Sequence, residues 1–169
     1  MSVFKIILYI AIFIASFSVG ILISKKYYLR VQELKKIKNA LNMCKTKMKF
    51  TYQPIPEIFQ EIASSTDGNV KMIFEEAYKQ IQEKNAGEGW KQAIQNIDSN
   101  FNREDKEILK SFSKLLGKTS IEGQLTEIEL TSEFLDTQIK KAELERNKNE
   151  KLYKTLGFVG GLGLIIILM

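Results

Sequence analysis

Carboxylates are the side chains whose number and spacing come nearest to a chemical site. Glu57 and Glu61 are four apart, so on a helix they share a face and could hold a divalent cation through oxygen. Glu75/Glu76, Glu104/Asp105 and Glu127/Glu129 are also close in sequence, but such neighbours point apart on a helix. A pair like Glu57/Glu61 is more often a solvated face than a metal site, though it leaves open a small carboxylate- and metal-dependent membrane enzyme, such as a lipid-headgroup hydrolase. Histidine is absent, which removes an imidazole base or triad. A single cysteine, Cys44, excludes an intrachain disulfide and the usual Cys/His zinc site. Cys44 lies on an apolar helical seam and reads as a small core residue rather than a nucleophile. Gly87-x-Gly89 lacks a flanking strand and a Walker lysine, so it is no phosphate cradle. Trp90 is most simply a packing anchor. The residues assemble no catalytic constellation, and neither a cofactor nor an enzyme activity is expected.

The elements that must carry these residues are dominated by the two ends of the 169-residue chain. Residues 6–23 hold no charge and would span about 27 Å as a helix, close to the ~30 Å hydrocarbon thickness. A cleaved signal is the rival, with Lys5 as its basic start and Ser18-Val19-Gly20 as a small-residue site. The apolar Ile21, Leu22 and Ile23 that follow, and Lys25, Lys26 and Arg30 after them, favour a retained anchor. Residues 155–169 form a second, shorter apolar segment that Leu152 and Tyr153 extend by a turn. Its Gly157 and Gly161 form a GxxxG pair suited to close helix contact. Lys148, Lys151 and Lys154 precede it. Basic residues flank both segments on the inner side, so the positive-inside rule places residues 25–154 in the cytoplasm and both termini outside.

Between the anchors the apolar spacing is helical throughout, with no strand-like alternation. Leu34, Ile37, Leu41, Cys44 and Met48 follow a 3,4 seam on a helix continuing out of the first anchor. Pro54-Ile55-Pro56 breaks it, and Pro56 starts a short helix bearing Ile58, Phe59, Ile62 and Ala63. After a turn at 66–69, Val70, Ile73, Phe74, Ala77 and Ile81 line the next helix, which Asn85-Ala86-Gly87 is expected to close through a left-handed Gly87. A segment with Trp90, Ala93, Ile94 and Ile97 follows. Asn102 is the expected N-cap of a helix burying Ile108, Leu109, Phe112, Leu115 and Leu116 and ending at Gly117. Ser120 caps the last helix, where Leu125, Ile128, Ser132, Leu135, Ile139 and Ala142 run toward the second anchor. The expectation is all-α: a six-helix cytoplasmic bundle whose two long helices continue into the N- and C-terminal transmembrane helices.

Residues 25–49 carry nine basic residues and one acidic, net +8, whereas 50–154 carry 15 and 19, net −4. The basic stretch starts two residues after a candidate span and has few aromatics beyond Tyr27 and Tyr28. Topology control and attraction to anionic headgroups explain it more simply than nucleic acid, which is not an expected partner.

Several stretches resemble the stage III sporulation protein AB family of endospore-forming bacteria. Tyr28-Leu29-Arg30 and Leu34-x-x-Ile37-x-x-Ala40-Leu41 lead to Phe50-x-Tyr52-x-Pro54-Ile55-Pro56-Glu57, similar to the family's arginine-bearing first helix and T-P-L-P-E-like break. Phe112-x-x-Leu115-Leu116-Gly117-Lys118-Thr119-Ser120-x-x-Gly123-Gln124 resembles its L-G-x-(S/T)-D-x-x-x-Q segment, and Lys151-Leu152-Tyr153-Lys154-Thr155-Leu156-Gly157 its approach to a C-terminal span. Two departures stand out. Lys45 and Lys47 lie near the end of the first helix, where the family usually has an acidic residue, and Ser120 stands where aspartate is usual. Both bear on a charge-dependent partner contact more than on the fold.

The resemblance implies a non-enzymatic platform in the channel apparatus linking mother cell and forespore, set in the mother-cell membrane facing the forespore. Family members are similar to the cytoplasmic domain of F-type platform proteins of type II secretion and type IV pilus systems. The implied partners are the stage III sporulation ATPase AA, the other channel proteins and, as a possible homo-oligomer, further copies of the chain. Tyr28, Arg30, Pro54, Pro56, Glu57, Gly117, Ser120 and Gln124 carry the resemblance. Pro54, Pro56 and Gly117 have structural roles in this reading, while Arg30 and Gln124 are the contact candidates, because a polar group at a helix junction must find a partner. A platform for pili or secretion outside sporulation, and a tethered sensor or helical adaptor, remain as alternatives.

Overall fold

A computed structural model of the chain describes residues 3–168, with side chains from Lys5 onward; the expected end of the second span at Met169 lies outside the described residues. Six α-helices and no strand occur among them: α1 (Val3–Phe50), α2 (Ile55–Ser65), α3 (Gly68–Ile81), α4 (Ala86–Asn96), α5 (Arg103–Ser111) and α6 (Ile121–Leu168), with a 3₁₀ turn at Phe112–Lys114 after α5. The chain forms two compact units. One holds the residues up to Val31 and those from Lys141 onward; the other is Gln32–Lys140.

In the first unit α1 and α6 run antiparallel and touch through small residues. A Cβ added at Gly20 would lie 2.5 Å from the Tyr153 carbonyl oxygen, and one at Gly157 would lie 3.1 Å from the Gly20 Cα. Gly161 faces Phe13 in the same way, so the GxxxG expectation is met. The Ser16 hydroxyl donates to the Gly157 carbonyl at 3.0 Å, Phe13 meets Phe158 edge to face, and Tyr27 stacks on Tyr153. The most apolar windows of the two helices have mean hydropathy 2.7 and 1.6 and are only 6% and 11% buried within the chain. A soluble core helix would be mostly buried, so both are candidate membrane spans.

The second unit is built around an aromatic cluster. Trp90 on α4 packs against Phe59 of α2, Phe74 of α3 and Phe112 of the 3₁₀ turn, with centroids 5.2–5.6 Å apart. Its indole N–H donates to the Leu109 carbonyl at 2.7 Å, so the polar edge of the ring is satisfied inside the core. The expected seam of α1 is buried from Leu34 to Met48, and Ile128, Ser132, Leu135, Ile139 and Ala142 of α6 are buried as the spacing indicated, with Leu125 half-buried. Asn102 caps α5 in a capping box with Asp105.

Two local expectations need correction. Gly87 does not close α3, which ends at Ile81. Asn85 instead caps α4 by accepting from Glu88 N–H, which puts Gly87 in the first turn. There a Cβ would lie 2.2 Å from the Ser113 carbonyl oxygen, so close packing rather than left-handed geometry requires the glycine. Leu115 is exposed rather than buried. The 3₁₀ turn advances 120° per residue instead of 100° and rotates Leu115 off the face that Leu109 and Phe112 occupy.

Candidate docking surface

Six of the eight residues singled out in the sequence converge at one end of the second unit, around Gly117. Gly117 adopts φ +71°, the left-handed conformation that favours glycine, and its Cα faces Ala86 and Ile55. Its N–H donates to the Gln124 side-chain oxygen at 3.0 Å, and the Gln124 amide donates back to the Thr119 carbonyl at 3.0 Å. Gln124 thereby latches the 117–124 connection. Ser120 accepts from Gly123 N–H at 3.3 Å, the capping contact expected of it.

Pro54 stands at the N-cap of α2 with Ile55 as the first helical residue and Pro56 the second, one position later than expected for Pro56. Glu57 is exposed in the first turn, where a carboxylate complements the helix dipole. Its neighbour Glu61 is bound by Lys47 and Gln53, and these contacts hold its carboxyl below the ordinary range. Among the described residues, no three His, Cys, Asp or Glu side chains gather where they could hold a metal ion. Tyr28 and Arg30 belong to the first unit. Arg30 is buried and donates to Glu145 at 2.6 Å, while the Arg146 guanidinium lies 4.9 Å from the Tyr28 ring centre. The partner a buried polar group must find is thus internal for both Arg30 and Gln124.

Among the residues left outward in the same connections are large apolar side chains. Phe50 and Tyr52 are 68% and 74% exposed, and Leu115 and Ile121 are partly so. Tyr52 has φ +53°, rare for a bulky side chain. The α1 hydrogen-bonding pattern runs on to Thr51 N–H, after which Tyr52 turns the chain left-handed and Pro54 forbids a return to helix at Gln53. The motif includes Phe50, Tyr52 and Leu115 but does not reveal their exposure. The one signal was large apolar side chains placed next to a proline break.

The lysines that depart from the family pattern are neutralised within the unit. Lys45 pairs with Glu129 and Lys47 with Glu61, as Lys36 does with Asp67 and Lys38 with Asp136. Each of Glu61, Asp67 and Glu129 is held below its usual carboxylate range chiefly by the hydrogen bond from its lysine. Glu33, the one acid in the basic stretch, accepts from Asn69 and from the backbone and side chain of Asn100. Cys44 is buried, and desolvation pushes its thiol far above the ordinary range, so it is inert in the folded chain.

These features define a class: an all-α protein whose two longest helices each include a candidate membrane span and whose remaining helices form a compact bundle. The family model described as stage III sporulation protein AB matches residues 5–169, and the chain belongs to that family. The chain is similar to the stage III sporulation protein AB of Bacillus subtilis (strain 168), 27% identical over 162 residues that cover 94% of this chain and 95% of that one. A solved structure of a stage III sporulation protein AB superposes with a TM-score of 0.65 at 20% identity, covering 71% of this chain and 98% of its own, which shows a shared fold. Membership is consistent with a component of the sporulation channel.

Proposed function

We propose that the chain is a non-enzymatic, membrane-embedded platform of the channel between mother cell and forespore, which docks the sporulation ATPase AA on its cytoplasmic side. Residues 6–23 and 155–169 are its two spans, residues 25–154 face the cytoplasm of the mother cell, and both termini lie outside. The observation that carries this reading is a compact helical bundle, on a chain with two candidate spans, that leaves Phe50, Tyr52, Leu115 and Ile121 exposed while Gly117 and Gln124 are bonded internally. Large apolar side chains left exposed, with the nearby polar groups already bonded, suit contact rather than turnover.

The test uses the full chain in lipid nanodiscs and the purified ATPase. The folded chain is expected to retain the ATPase at micromolar concentration, and Phe50→Ser with Tyr52→Ser is expected to lose at least about tenfold in affinity. Equal retention by the variant would move the docking site elsewhere. No retention by the parent chain would count against the platform.

A further inference from the structure

The net charge of the protein resides in one of its two units. Residues up to Val31 and from Lys141 onward carry nine basic and three acidic side chains, net +6, whereas Gln32–Lys140 carries 16 and 17, net −1. In the second unit the α1 lysines 36, 38, 45 and 47 all have carboxylate partners. In the first unit Lys25, Lys26, Lys148 and Lys151 are exposed and make no ion pair among the described residues. Two of the unit's three carboxylates are engaged elsewhere, Glu145 by Arg30 and Glu150 by Arg146 and Lys154.

The four lysines also share a level. Gly20 opposite Gly157 and Tyr27 on Tyr153 fix the antiparallel register, which sets Lys25 and Lys26 beside the turns carrying Lys148 and Lys151. Lys148 to Lys151 rises about 4.5 Å along the helix, within the ~5–7 Å of headgroup layer on each side of a bilayer. Both pairs lie within about two turns of a candidate span, and their long stems let the ammonium groups reach the phosphate plane.

We propose that Lys25, Lys26, Lys148 and Lys151 form a collar that binds the phosphate groups of anionic phospholipids where the two helices leave the bilayer. The collar rests on the membrane-embedded reading above. It goes further in assigning a lipid class to four residues, and in separating them from Lys36, Lys38, Lys45 and Lys47 of the bundle, which are paired internally. Each lysine near an anionic surface strengthens association about fivefold at low salt.

The experiment reconstitutes the full chain in symmetric bilayers of phosphatidylcholine with a minority of phosphatidylglycerol, where insertion orientation does not matter. Electron spin resonance then compares the motionally restricted fraction of spin-labelled phosphatidylglycerol with that of spin-labelled phosphatidylcholine. The parent chain is expected to prefer phosphatidylglycerol about fivefold in low salt, and to lose most of that preference in 0.5 M salt, where screening shortens to a few Å. K25Q/K26Q and K148Q/K151Q should each lower the preference and together abolish it. K91Q/K114Q, with the same charge change in the bundle, should leave it intact. Undisturbed circular dichroism would show that each variant keeps its helices. No preference in the parent chain, or a preference kept by the fourfold variant, overturns the collar. If neither lipid shows a restricted component, the membrane reading itself fails and takes the collar with it.

Discussion

The two units of this protein achieve cohesion by opposite means. The helix pair of the first unit meets through glycines, with Gly20 against Gly157 and Phe13 against Gly161, and leaves its apolar side chains facing outward. The bundle of the second unit buries its large side chains around Trp90 and matches its α1 lysines to carboxylates. The contrast follows from solvent. In hydrocarbon, burying leucine against leucine gains little, so backbone proximity and van der Waals contact hold helices together. In water, apolar burial supplies the driving force. Each unit is made for the medium in which its own contacts are favourable.

The largest effect should come from breaking the bundle alone. Trp90→Ala removes the side chain common to the contacts with Phe59, Phe74 and Phe112 and its hydrogen bond to the Leu109 carbonyl, a loss of about 3–5 kcal/mol. Thiol labelling of Cys44 reports it directly, because the thiol reacts only when the bundle opens. Labelling should accelerate strongly at moderate denaturant while helix contact in the first unit persists. The converse variant is Gly20→Leu, whose side chain would collide with the Tyr153 carbonyl. It should separate the two helices toward the ~8–10 Å of ordinary packing, read as a longer distance between spin labels at positions 8 and 164, with Cys44 still protected. If one variant disturbs both readouts, the two units are not energetically separate.

Smaller effects sharpen the role of the exposed patch. Tyr52 holds a left-handed conformation that costs a non-glycine residue roughly 1 kcal/mol. Tyr52→Gly should therefore leave thermal stability unchanged or slightly higher while weakening ATPase retention, a combination that a merely structural tyrosine would not give. The weakest effect expected is that of pH. With no histidine, no ordinary side chain titrates between pH 5 and 8, so bundle stability should be flat there. Glu61, Asp67 and Glu129 have folded values below their unfolded ones. Their contribution is present above about pH 4 and is lost as pH falls through the lower folded values. Exposed pairs make that loss small. Denaturant titrations at pH 7 and pH 3 should show it, and a steep change between pH 6 and 8 would contradict the assignment.

Features set by local chemistry were legible in the sequence. The 3,4 spacing from Leu34 to Met48, the asparagine cap at 102, the glycine at 117 and the Pro54–Pro56 break all act within a few residues, and each stands where its chemistry indicated apart from a one-residue shift of Pro56. Features set by distant partners were not legible. Gly87 looked like a helix end because nothing near it in sequence reveals Ser113, 26 residues on, against its Cα. The pairing of Lys45 with Glu129 and of Lys47 with Glu61 is likewise set by residues on other helices. Leu115 shows a third kind of limit, since one turn of 3₁₀ geometry shifts the helical phase without any marked change in composition. For the candidate site, the motif residues were visible but their work as an internal latch was not. The outward position of Phe50, Tyr52 and Leu115 is visible only in the structure.

The central claim is that one chain is divided between lipid and water. Membrane-impermeant maleimide labelling of single cysteines in sealed vesicles tests it most directly, with native Cys44 silent because it is buried. Lys118→Cys should label in inverted vesicles and not in right-side-out ones, and Leu164→Cys should label in neither. Rapid labelling of Leu164→Cys in intact vesicles, or labelling of Lys118→Cys only from the outside, would contradict the account.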